Sequence, residues 1–479
     1  MKKLNRLTHN TQTYTERILQ FGEGNFLRAF ADWMIHQMNQ KVDFDAGVVA
    51  VQPIDKGLIQ MLNEQDGLYT VYINGIKDGQ AVSEHEVVDC IQRGLDPYTQ
   101  WEEYMALAES PDLRFVLSNT TEAGIAYHDN NSMNDAPPSS FPAKVTLLLH
   151  RRYETFDGAT DKGLIFIPCE LIDRNGDNLK RIILQYAEEW GLSVEFKDWV
   201  EKHNIFANTL VDRIVPGYPK DKMEAITEEL GYQDQLVVEG EKFHLWVIEG
   251  PEQIQKEFPA EACNLNVIFT DNMEPYRTRK VRILNGAHTT MVPVAYLYGI
   301  EYVRESVEDE VFGPWIRQAI FEEICPTLDL PEEELKSFAC DVLDRFRNPY
   351  LMHALMSISL NSVSKFKTRV LPSLLEYVER KGKLPEKLCV SLAALIAFYR
   401  GEVAGKVIQR NDDQTVIDFA DQAWASYSDA ASIGEVVKAF LSQTDFWGQD
   451  LTVVTGLTDA VAANLTVILD GNIKKLITQ

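Results

Sequence analysis

Short apolar runs alternate with amphipathic segments throughout the first half of the chain. Four of these runs are bounded by turn residues and predict buried strands at residues 17–21, 47–52, 113–118 and 163–168. Between them lie segments with the spacing of amphipathic helices, for example residues 26–40 and 97–108. Because strands that alternate with helices form βαβ units, this half predicts a mostly parallel sheet.

The pattern changes near residue 270. Strand-like runs become rare, and helical periodicity dominates residues 280–298, 311–325, 332–347 and 389–399. These segments are separated by residues typical of helix ends, namely Gly299, Pro326, Pro331, Pro349, Pro372 and Gly382. We therefore expect an α/β domain over residues 1–275 and a mainly α-helical domain over residues 276–479.

Composition and charge narrow the class of protein. The 479 residues are 45% hydrophobic and 25% charged, as is usual for a folded chain of two domains. The net charge of −26 argues against nucleic acid or a membrane as a partner, since both require a basic protein face. A small anionic substrate stays compatible because it responds to the local charge of its pocket. Nothing in the pattern specifies an oligomeric state.

The cysteines and the first residues of the chain indicate the compartment. The six cysteines are scattered and show neither a CxxC pair nor the spacing of zinc ligands, so we expect reduced thiols and no metal site. The N-terminus is basic but lacks the apolar run of a signal peptide. No uncharged apolar stretch is long enough to span a bilayer. A cytoplasmic location is therefore the expectation.

A turn with two glycines joins the first predicted strand to the first predicted helix. In dinucleotide-binding domains, a glycine at the position of Gly22 permits the tight turn, and one at Gly24 lets the backbone approach a pyrophosphate. The third glycine of that fingerprint is replaced by Leu27. The nearest acid after the second strand is Asp55, which could bind the adenosine ribose. The two-glycine turn favours a Rossmann-type domain. No arginine follows the second strand to bind a 2′-phosphate, so NAD is favoured over NADP as the cofactor.

The segment 276–288 combines three groups suited to carbonyl reduction. On an α-helix, Lys280, Asn285 and His288 lie within one broad arc. An amine can protonate the developing alkoxide, an amide can stabilise the oxyanion, and an imidazole can hydrogen-bond a neighbouring hydroxyl. The pattern indicates hydride-transfer chemistry that needs no metal; the alternative is a basic helix face that is simply solvated.

The spacing Lys280-x4-Asn285-x2-His288 resembles the catalytic helix of the long-chain polyol dehydrogenases, the mannitol dehydrogenase family. Further segments that resemble the family occur in the same order at residues 22–28, 65–70, 119–122, 211–214, 246–249, 345–349 and 364–366. The resemblance extends from about residue 15 to about residue 375. It implies a Rossmann-type NAD-binding domain, a helical substrate domain and metal-independent hydride transfer.

The resemblance also implies the residues of the site. Lys280 would be the acid/base, Asn285 would help form the oxyanion site, and His288 would orient the substrate. The expected cofactor-binding residues are Phe21, Gly22, Gly24, Asn25, Phe26, Arg28, Asp55, Asn119 and Glu122. The expected substrate-binding residues are Asp212, Lys365, Lys367 and Arg369, with the last two proposed to bind a substrate carboxylate.

Departures from the mannitol-type pattern suggest the substrate. The stretch from Phe26 to Phe30 resembles the branch of the family that acts on keto-uronates. Leu171, after Cys169 and Glu170, stands where the mannitol branch has a second oxyanion asparagine. We therefore expect NAD-dependent reduction of a small anionic sugar acid, D-tagaturonate, to D-altronate in hexuronate catabolism. The alternatives are fructuronate reduction, a mannitol-type polyol dehydrogenase reaction and, more remotely, a non-enzymatic NAD(H)-binding sensor.

Overall fold

The computed structural model describes residues 2–77, 79–428 and 430–478. The chain divides into two compact units. The first comprises Met1–Asn74 and Val82–Met273, and the second comprises Gly75–Ala81 and Glu274–Gln479. The first is an α/β unit and the second is mainly helical, which confirms the expected fold class.

A parallel sheet forms the centre of the first unit. The strands up to residue 273 are β1 (Lys2–Lys3), β2 (Glu16–Phe21), β3 (Gly47–Val51), β4 (Tyr69–Lys77), β5 (Gln80–Val88), β6 (Ile91–Leu95), β7 (Phe115–Ser118), β8 (Ile165–Pro168), β9 (Ile205–Phe206), β10 (Asn208–Asp212), β11 (Tyr232–Gln233), β12 (Val238–Glu241), β13 (Leu245–Glu249) and β14 (Val267–Thr270). The central sheet has the order β6-β3-β2-β7-β8-β9, and each of its adjacent pairs is parallel. This is the strand order of the doubly wound dinucleotide-binding fold.

Helices cover both faces of this sheet. The helices of the first unit are α1 (Asn25–Arg28), α2 (Ala31–Val42), α3 (Ile59–Glu64), α4 (Trp101–Ala106), α5 (Phe141–Thr155), α6 (Asn175–Glu189), α7 (Val194–His203), α8 (Met223–Leu230) and α9 (Gln253–Glu257). Along β2, Ile18 joins the core on one face, whereas Leu19 and Phe21 join the core on the other. A strand buried on both faces reads as a continuous apolar run, which is why four of these strands are evident in the sequence.

The prediction of one continuous helix over residues 26–40 is wrong. The structure divides this segment, because α1 ends at Arg28 and α2 begins at Ala31. The Arg28 side chain is buried and donates a hydrogen bond to the main-chain carbonyl of Leu236. A partner 208 residues away in the chain leaves no trace in the local periodicity.

The second unit is built from helices around one fully buried helix. Its helices are α10 (Glu274–Arg279), α11 (Gly286–Tyr298), α12 (Val303–Glu308), α13 (Phe312–Gln318), α14 (Glu332–Phe346), α15 (Leu355–Ile358), α16 (Ser362–Arg369), α17 (Leu371–Lys381), α18 (Glu386–Phe398), α19 (Gln414–Ala425), α20 (Ile433–Leu441), α21 (Thr444–Trp447), α22 (Leu457–Leu469) and α23 (Lys474–Ile477). Two π-helical turns, Lys280–Asn285 and Ala319–Ile324, interrupt the α-helical segments, and a short hairpin is formed by β15 (Glu402–Val403) and β16 (Lys406–Val407). Helix α18 is buried from Leu388 to Phe398 and packs against α11 and α22.

Most of the predicted helix ends are correct, with two corrections. Gly299 and Gly382 adopt left-handed backbone conformations and end α11 and α17. Pro372 instead begins a helix: it lies at the second position of α17, where a missing N–H costs nothing. Pro326 lies inside a 3₁₀ turn that follows the second π turn. Among the residues that the structure describes, no helix combines the length and the apolar character needed to cross a membrane.

Candidate active site

Three loops of the first unit lie at the carboxyl edge of the central sheet. Phe21, the last residue of β2, pairs with Val51 at the end of β3 and with Ser118 at the end of β7. The chain therefore leaves β2 between the loops that follow β3 and β7. After these two loops, the later strands add to opposite edges of the sheet. Ligands of open α/β sheets bind at such a switch point. The glycine turn, the loop after β3 and the loop after β7 are thus the candidate cofactor site.

The glycine turn itself fits a phosphate group. Gly22 has a φ of +111°, and a Cβ added there would lie 2.9 Å from the carbonyl oxygen of Asn119. The Gly22 amide donates to the Val51 carbonyl over 3.0 Å, which fixes the turn to the neighbouring strand. Gly24 precedes α1 and is exposed, with no atom within 4 Å of the place where a Cβ would be. The amides at the start of α1 are therefore open to an anionic ligand.

Two residues that the resemblance implied for cofactor binding have side chains buried inside the first unit. Arg28 is only 2% exposed and donates to the Glu23 carbonyl at 3.1 Å, to Asn25 Oδ1 at 2.8 Å and to the Leu236 carbonyl. All three guanidinium nitrogens therefore have partners inside the unit. The Phe21 side chain lies in the core, so only its main chain reaches the turn.

The other predicted cofactor residues lie at the surface of these loops. Asn25 is exposed, and Phe26 is half-buried with its ring stacked on Phe30 at 4.9 Å. Asp55, in the loop after β3, and Glu122, in the loop after β7, are both exposed. Their carboxylates therefore lie at the surface, where the hydroxyl groups of a ribose could reach them.

Asn119 links the loop after β7 to both of its neighbours. Its main-chain amide donates to the Phe21 carbonyl over 3.0 Å, and its side-chain amide donates to the Cys169 carbonyl over 2.9 Å. The carbonyl of Asn119 is the atom that limits Gly22 to a residue without a side chain. Asn119 therefore shapes the turn through its main chain, a role that spacing in the sequence does not reveal.

The glycine turn also contains a buried acid that the sequence pattern did not predict. Glu23 is buried, and its Oε1 accepts a hydrogen bond of 2.9 Å from the Leu58 amide beyond β3. Burial raises the pKa of the Glu23 carboxyl, an effect that the hydrogen bond from Leu58 opposes. Glu23 thus ties the glycine turn to the loop that carries Asp55. An acidic residue between two glycines is the signal that could have revealed it.

The segment that carries Lys280, Asn285 and His288 contains a π turn. Lys280–Asn285 is π-helical and lies between α10 and α11. On an ordinary α-helix, Lys280 and Asn285 would point about 140° apart. In a π turn the hydrogen bonds run from residue i to residue i+5, so side chains five positions apart lie on the same face. The expectation of an α-helical arc is therefore corrected: the π turn aligns Lys280 with Asn285.

Two buried arginines anchor this helix. Arg282 donates from Nε to Ser373 Oγ over 2.6 Å, on α17, and from a second nitrogen to Thr327 Oγ1 over 3.3 Å. Arg279 pairs with Glu334 of α14 over 2.5 Å. These arginines flank Lys280 in the sequence, and the structure gives their guanidinium groups partners on neighbouring helices.

His288 is a neutral imidazole in an apolar setting. Its ring lies 4.3 Å from the ring of Phe346 and 5.2 Å from that of His353. Burial, followed by the charges of His353, Arg345 and Arg369, holds the pKa of His288 well below its usual value. Its Nε2 is buried and, within the described part of the chain, has no hydrogen-bond partner. A neutral ring with one nitrogen unused can bind a substrate hydroxyl.

Helix α16 carries the predicted cationic residues, and it separates them. Lys365 and Arg369 are four positions apart and share a face, whereas Lys367 lies on another face. Burial and the charge of Arg369 lower the pKa of Lys365. Lys367 instead lies near α21: a Cβ added at Gly448 would be 3.4 Å from Lys367 Cε. Of the two lysines, Lys365 is the one whose pKa responds to the charge of Arg369.

Helix α16 packs closely on α11. A Cβ added at Gly286, the first residue of α11, would lie only 3.0 Å from the carbonyl oxygen of Arg369. Lys365 Nζ donates to the Ile358 carbonyl over 2.8 Å, which holds the amine in place. The structure thus brings His288, Lys365 and Arg369 together in the second unit. Asp212, the remaining predicted substrate residue, is the buried last residue of β10 in the first unit.

Comparisons with known proteins cover almost the whole chain. Residues 16–261 match the family described as Mannitol dehydrogenase Rossmann domain, and residues 272–469 match Mannitol dehydrogenase C-terminal domain. The altronate oxidoreductase of Bacteroides thetaiotaomicron is 50% identical over 470 residues, covering 98% of this chain and 97% of that protein. That of Pectobacterium carotovorum subsp. carotovorum is 48% identical over 477 residues and 98% of both chains.

Solved structures share the fold. A D-sorbitol dehydrogenase in substrate-free form superposes with a TM-score of 0.80 at 21% identity, over 100% of both chains. A Pseudomonas fluorescens mannitol 2-dehydrogenase, solved with NAD and D-mannitol, gives a TM-score of 0.63 at 22% identity, over 99% of this chain and 98% of the other. At sequence identities of 21% and 22%, these superpositions show a shared fold only.

Proposed function

The chain belongs to the mannitol dehydrogenase family, and on that premise we propose that it is an NAD-dependent oxidoreductase interconverting D-tagaturonate and D-altronate. The relatives named altronate oxidoreductase, at 48–50% identity over nearly the full length, are the observation that carries this proposal. The position of Lys365 and Arg369 on one face of α16 supports it, because a uronate brings a carboxylate that a neutral polyol lacks.

The cofactor proposal rests on the glycine turn. The open amides near Gly24 suit a pyrophosphate, and the exposed Asp55 carboxylate suits the hydroxyls of the adenosine ribose. When bound, NADH supplies the hydride that reduces the ketone carbon. Proton transfer and orientation of the substrate are assigned to side chains of the second unit.

Lys280 and Asn285 act on the substrate oxygen. Lys280 Nζ gives a proton to the oxygen that becomes an alcohol, and in the reverse direction it takes that proton back. The amide of Asn285 donates a hydrogen bond to the same oxygen while negative charge develops on it. Since the π turn places both on one face, one substrate oxygen can contact both groups.

His288 and the cations of α16 orient the substrate. The unused Nε2 of His288 accepts a hydrogen bond from a neighbouring hydroxyl, and the low pKa of the ring keeps it available at neutral pH. Arg369 and Lys365 bind the carboxylate at the far end of the sugar acid. Because NADH is an intracellular cofactor, we also propose a cytoplasmic location, which cell fractionation would test.

The decisive experiment follows NADH oxidation by absorbance with purified protein and one substrate at a time. D-tagaturonate is expected to be turned over rapidly, and D-fructuronate and D-fructose slowly. Faster turnover of D-fructuronate would assign the alternative uronate, and faster turnover of D-fructose would assign a neutral polyol dehydrogenase. NADH binding without turnover of any of the three would favour a sensor instead.

A further inference from the structure

A buried carboxylate lies behind the loop that follows β7. Glu170 is 2% exposed and comes two residues after β8 ends. Its Oε1 accepts from the main-chain amide and the hydroxyl of Thr120, each at 2.9 Å, and its Oε2 accepts from Ser118 Oγ at 3.0 Å. Both oxygens are thus committed to the end of β7 and the two residues beyond it.

This carboxylate is held by hydrogen-bond donors. Burial raises the pKa of Glu170, while the hydrogen bonds from Thr120 and Ser118 oppose that rise. Burying an acid is costly unless its oxygens are satisfied, and here three donors come from one short loop. Such an acid fixes the loop in a single conformation.

The loop needs this support because its backbone is strained. Thr121 has a φ of +70°, a left-handed conformation that a β-branched residue rarely adopts. The hydrogen bonds from Thr120 to Glu170 immediately precede this residue. One residue earlier, Asn119 donates hydrogen bonds to the carbonyls of Phe21 and Cys169. Strain of this kind persists only where the surroundings impose it, and it is concentrated at ligand sites.

We propose that Glu170 is a positioning residue for the nicotinamide half of the cofactor, an inference that rests on the proposed use of NAD. In doubly wound sheets, one half binds the adenosine nucleotide, and the half that begins with the strand equivalent to β7 binds the other. Glu170 holds Ser118 and Thr120, at the start of the loop after β7, from within the protein. Glu170 acts through this loop. Because both of its carboxylate oxygens already accept hydrogen bonds, it does not take the place of the second oxyanion asparagine of the mannitol branch.

The test compares two variants of this acid with a matched control. Glu170→Met removes every acceptor, whereas Glu170→Gln keeps one carbonyl oxygen for the Thr120 amide. The control is Glu323→Gln in the second unit. Glu323 is also buried, and it accepts from the amides of Lys387 and Leu388 at 2.9 Å each. It matches Glu170 in chemistry but lies outside the nucleotide-binding unit.

Calorimetry with full-length protein gives the Kd of NADH and of ADP-ribose, which lacks the nicotinamide. We expect Glu170→Met to raise the Kd of NADH about tenfold, and Glu170→Gln about threefold, in line with the loss of hydrogen bonds to a charged group. The Kd of ADP-ribose should stay within about twofold in both variants, since the adenosine half is unchanged. Glu323→Gln should lower the Tm without changing either Kd.

Two results would overturn the proposal. Equal weakening of NADH and ADP-ribose binding would reduce Glu170 to general support of the unit, and unchanged NADH binding would remove its role altogether. If Glu170→Met does not fold, Glu170→Gln decides alone through the same ratio of Kd values. These measurements use no sugar acid, so failure to reduce D-tagaturonate would leave the result on Glu170 intact.

Discussion

The two units present their functional groups in different ways. In the first, the site consists of main-chain amides and short loops, which buried side chains such as Arg28 and Glu23 hold from within. In the second, Lys280 and Asn285 project from one helical segment, and a π turn sets their alignment. A main-chain site leaves a glycine signature in the sequence. A side-chain site depends on helix geometry that packing determines.

The largest effect is expected at the side-chain site. Lys280→Met removes the proton donor, and we expect kcat to fall about 10³-fold, within the usual range for acid–base groups. The Kd of NADH should change by less than about twofold, since the cofactor groups lie in the first unit. NADH oxidation and calorimetry measure the two quantities. A variant that keeps a tenth or more of the activity would show that another group supplies the proton.

At the main-chain site, by contrast, we expect a substitution to change the Kd of NADH. Gly22→Ala places a Cβ 2.9 Å from the Asn119 carbonyl, so the turn must move. We expect the Kd of NADH to rise about 30-fold, which corresponds to roughly 2 kcal/mol.

Gly191→Ala is the matched control for that substitution. Gly191 has a φ of +65°, but no atom lies within 4 Å of the place where a Cβ would be, so the variant reports the backbone conformation alone. It should lose about 1 kcal/mol of stability and keep its affinity for NADH. If the two alanine variants bind NADH equally well, the close approach of Asn119 does not shape the cofactor site.

The cations of α16 distinguish acidic from neutral substrates. Arg369→Ala should raise the KM for D-tagaturonate about tenfold or more, since a charge-assisted hydrogen bond contributes about 1.5–3 kcal/mol. Any activity on D-fructose should change little. Lys367→Ala serves as the control because Lys367 lies near Gly448, and its kinetics should match the wild type. An equal rise of KM in both variants would assign the carboxylate to Lys367 as well as Arg369, and an unchanged KM in Arg369→Ala would place the carboxylate elsewhere.

The smallest expected effect concerns a buried acid beneath the glycine turn. Gln20 donates to the Gly22 carbonyl at 3.0 Å and to Asp32 Oδ2 at 3.2 Å. Burial raises the pKa of Asp32 to about 7, and hydrogen bonds or charges from Gln20, Arg28 and Tyr69 oppose the rise. The folded state therefore keeps a proton that the unfolded chain releases from about pH 4 upward. Stability contributed by this proton is lost as the pH rises from about 4 to 7.

Asp32→Asn removes that titration. Between pH 5 and pH 7.5, the Tm of the wild type should fall by a few degrees more than that of the variant, and the difference should level off above about pH 7. Since Arg28, Tyr69 and Cys90 face Asp32 in both proteins, the comparison isolates the acid itself. Parallel Tm curves would show that Asp32 is ionised throughout this range.

The features that depend on local chemistry could be predicted from the amino-acid sequence alone. Apolar runs between turn residues identify the strands around β2, and a required positive φ explains Gly22. The identities and order of Lys280, Asn285 and His288, together with the family resemblance, were enough to predict the class of reaction. These signals are contained within a few neighbouring residues, so no knowledge of packing is needed to find them.

The contacts that these residues make depend on how the chain packs in three dimensions. Arg28 turns inward to a carbonyl 208 residues away, and the charge of Arg369 lowers the pKa of Lys365. The π turn aligns Lys280 with Asn285, and Glu170 supports a loop 50 residues before it in the chain. Each of these outcomes depends on contacts between distant segments or on the register of a helix within its neighbours. Local propensity does not encode such contacts, because their energies arise only when the chain is packed.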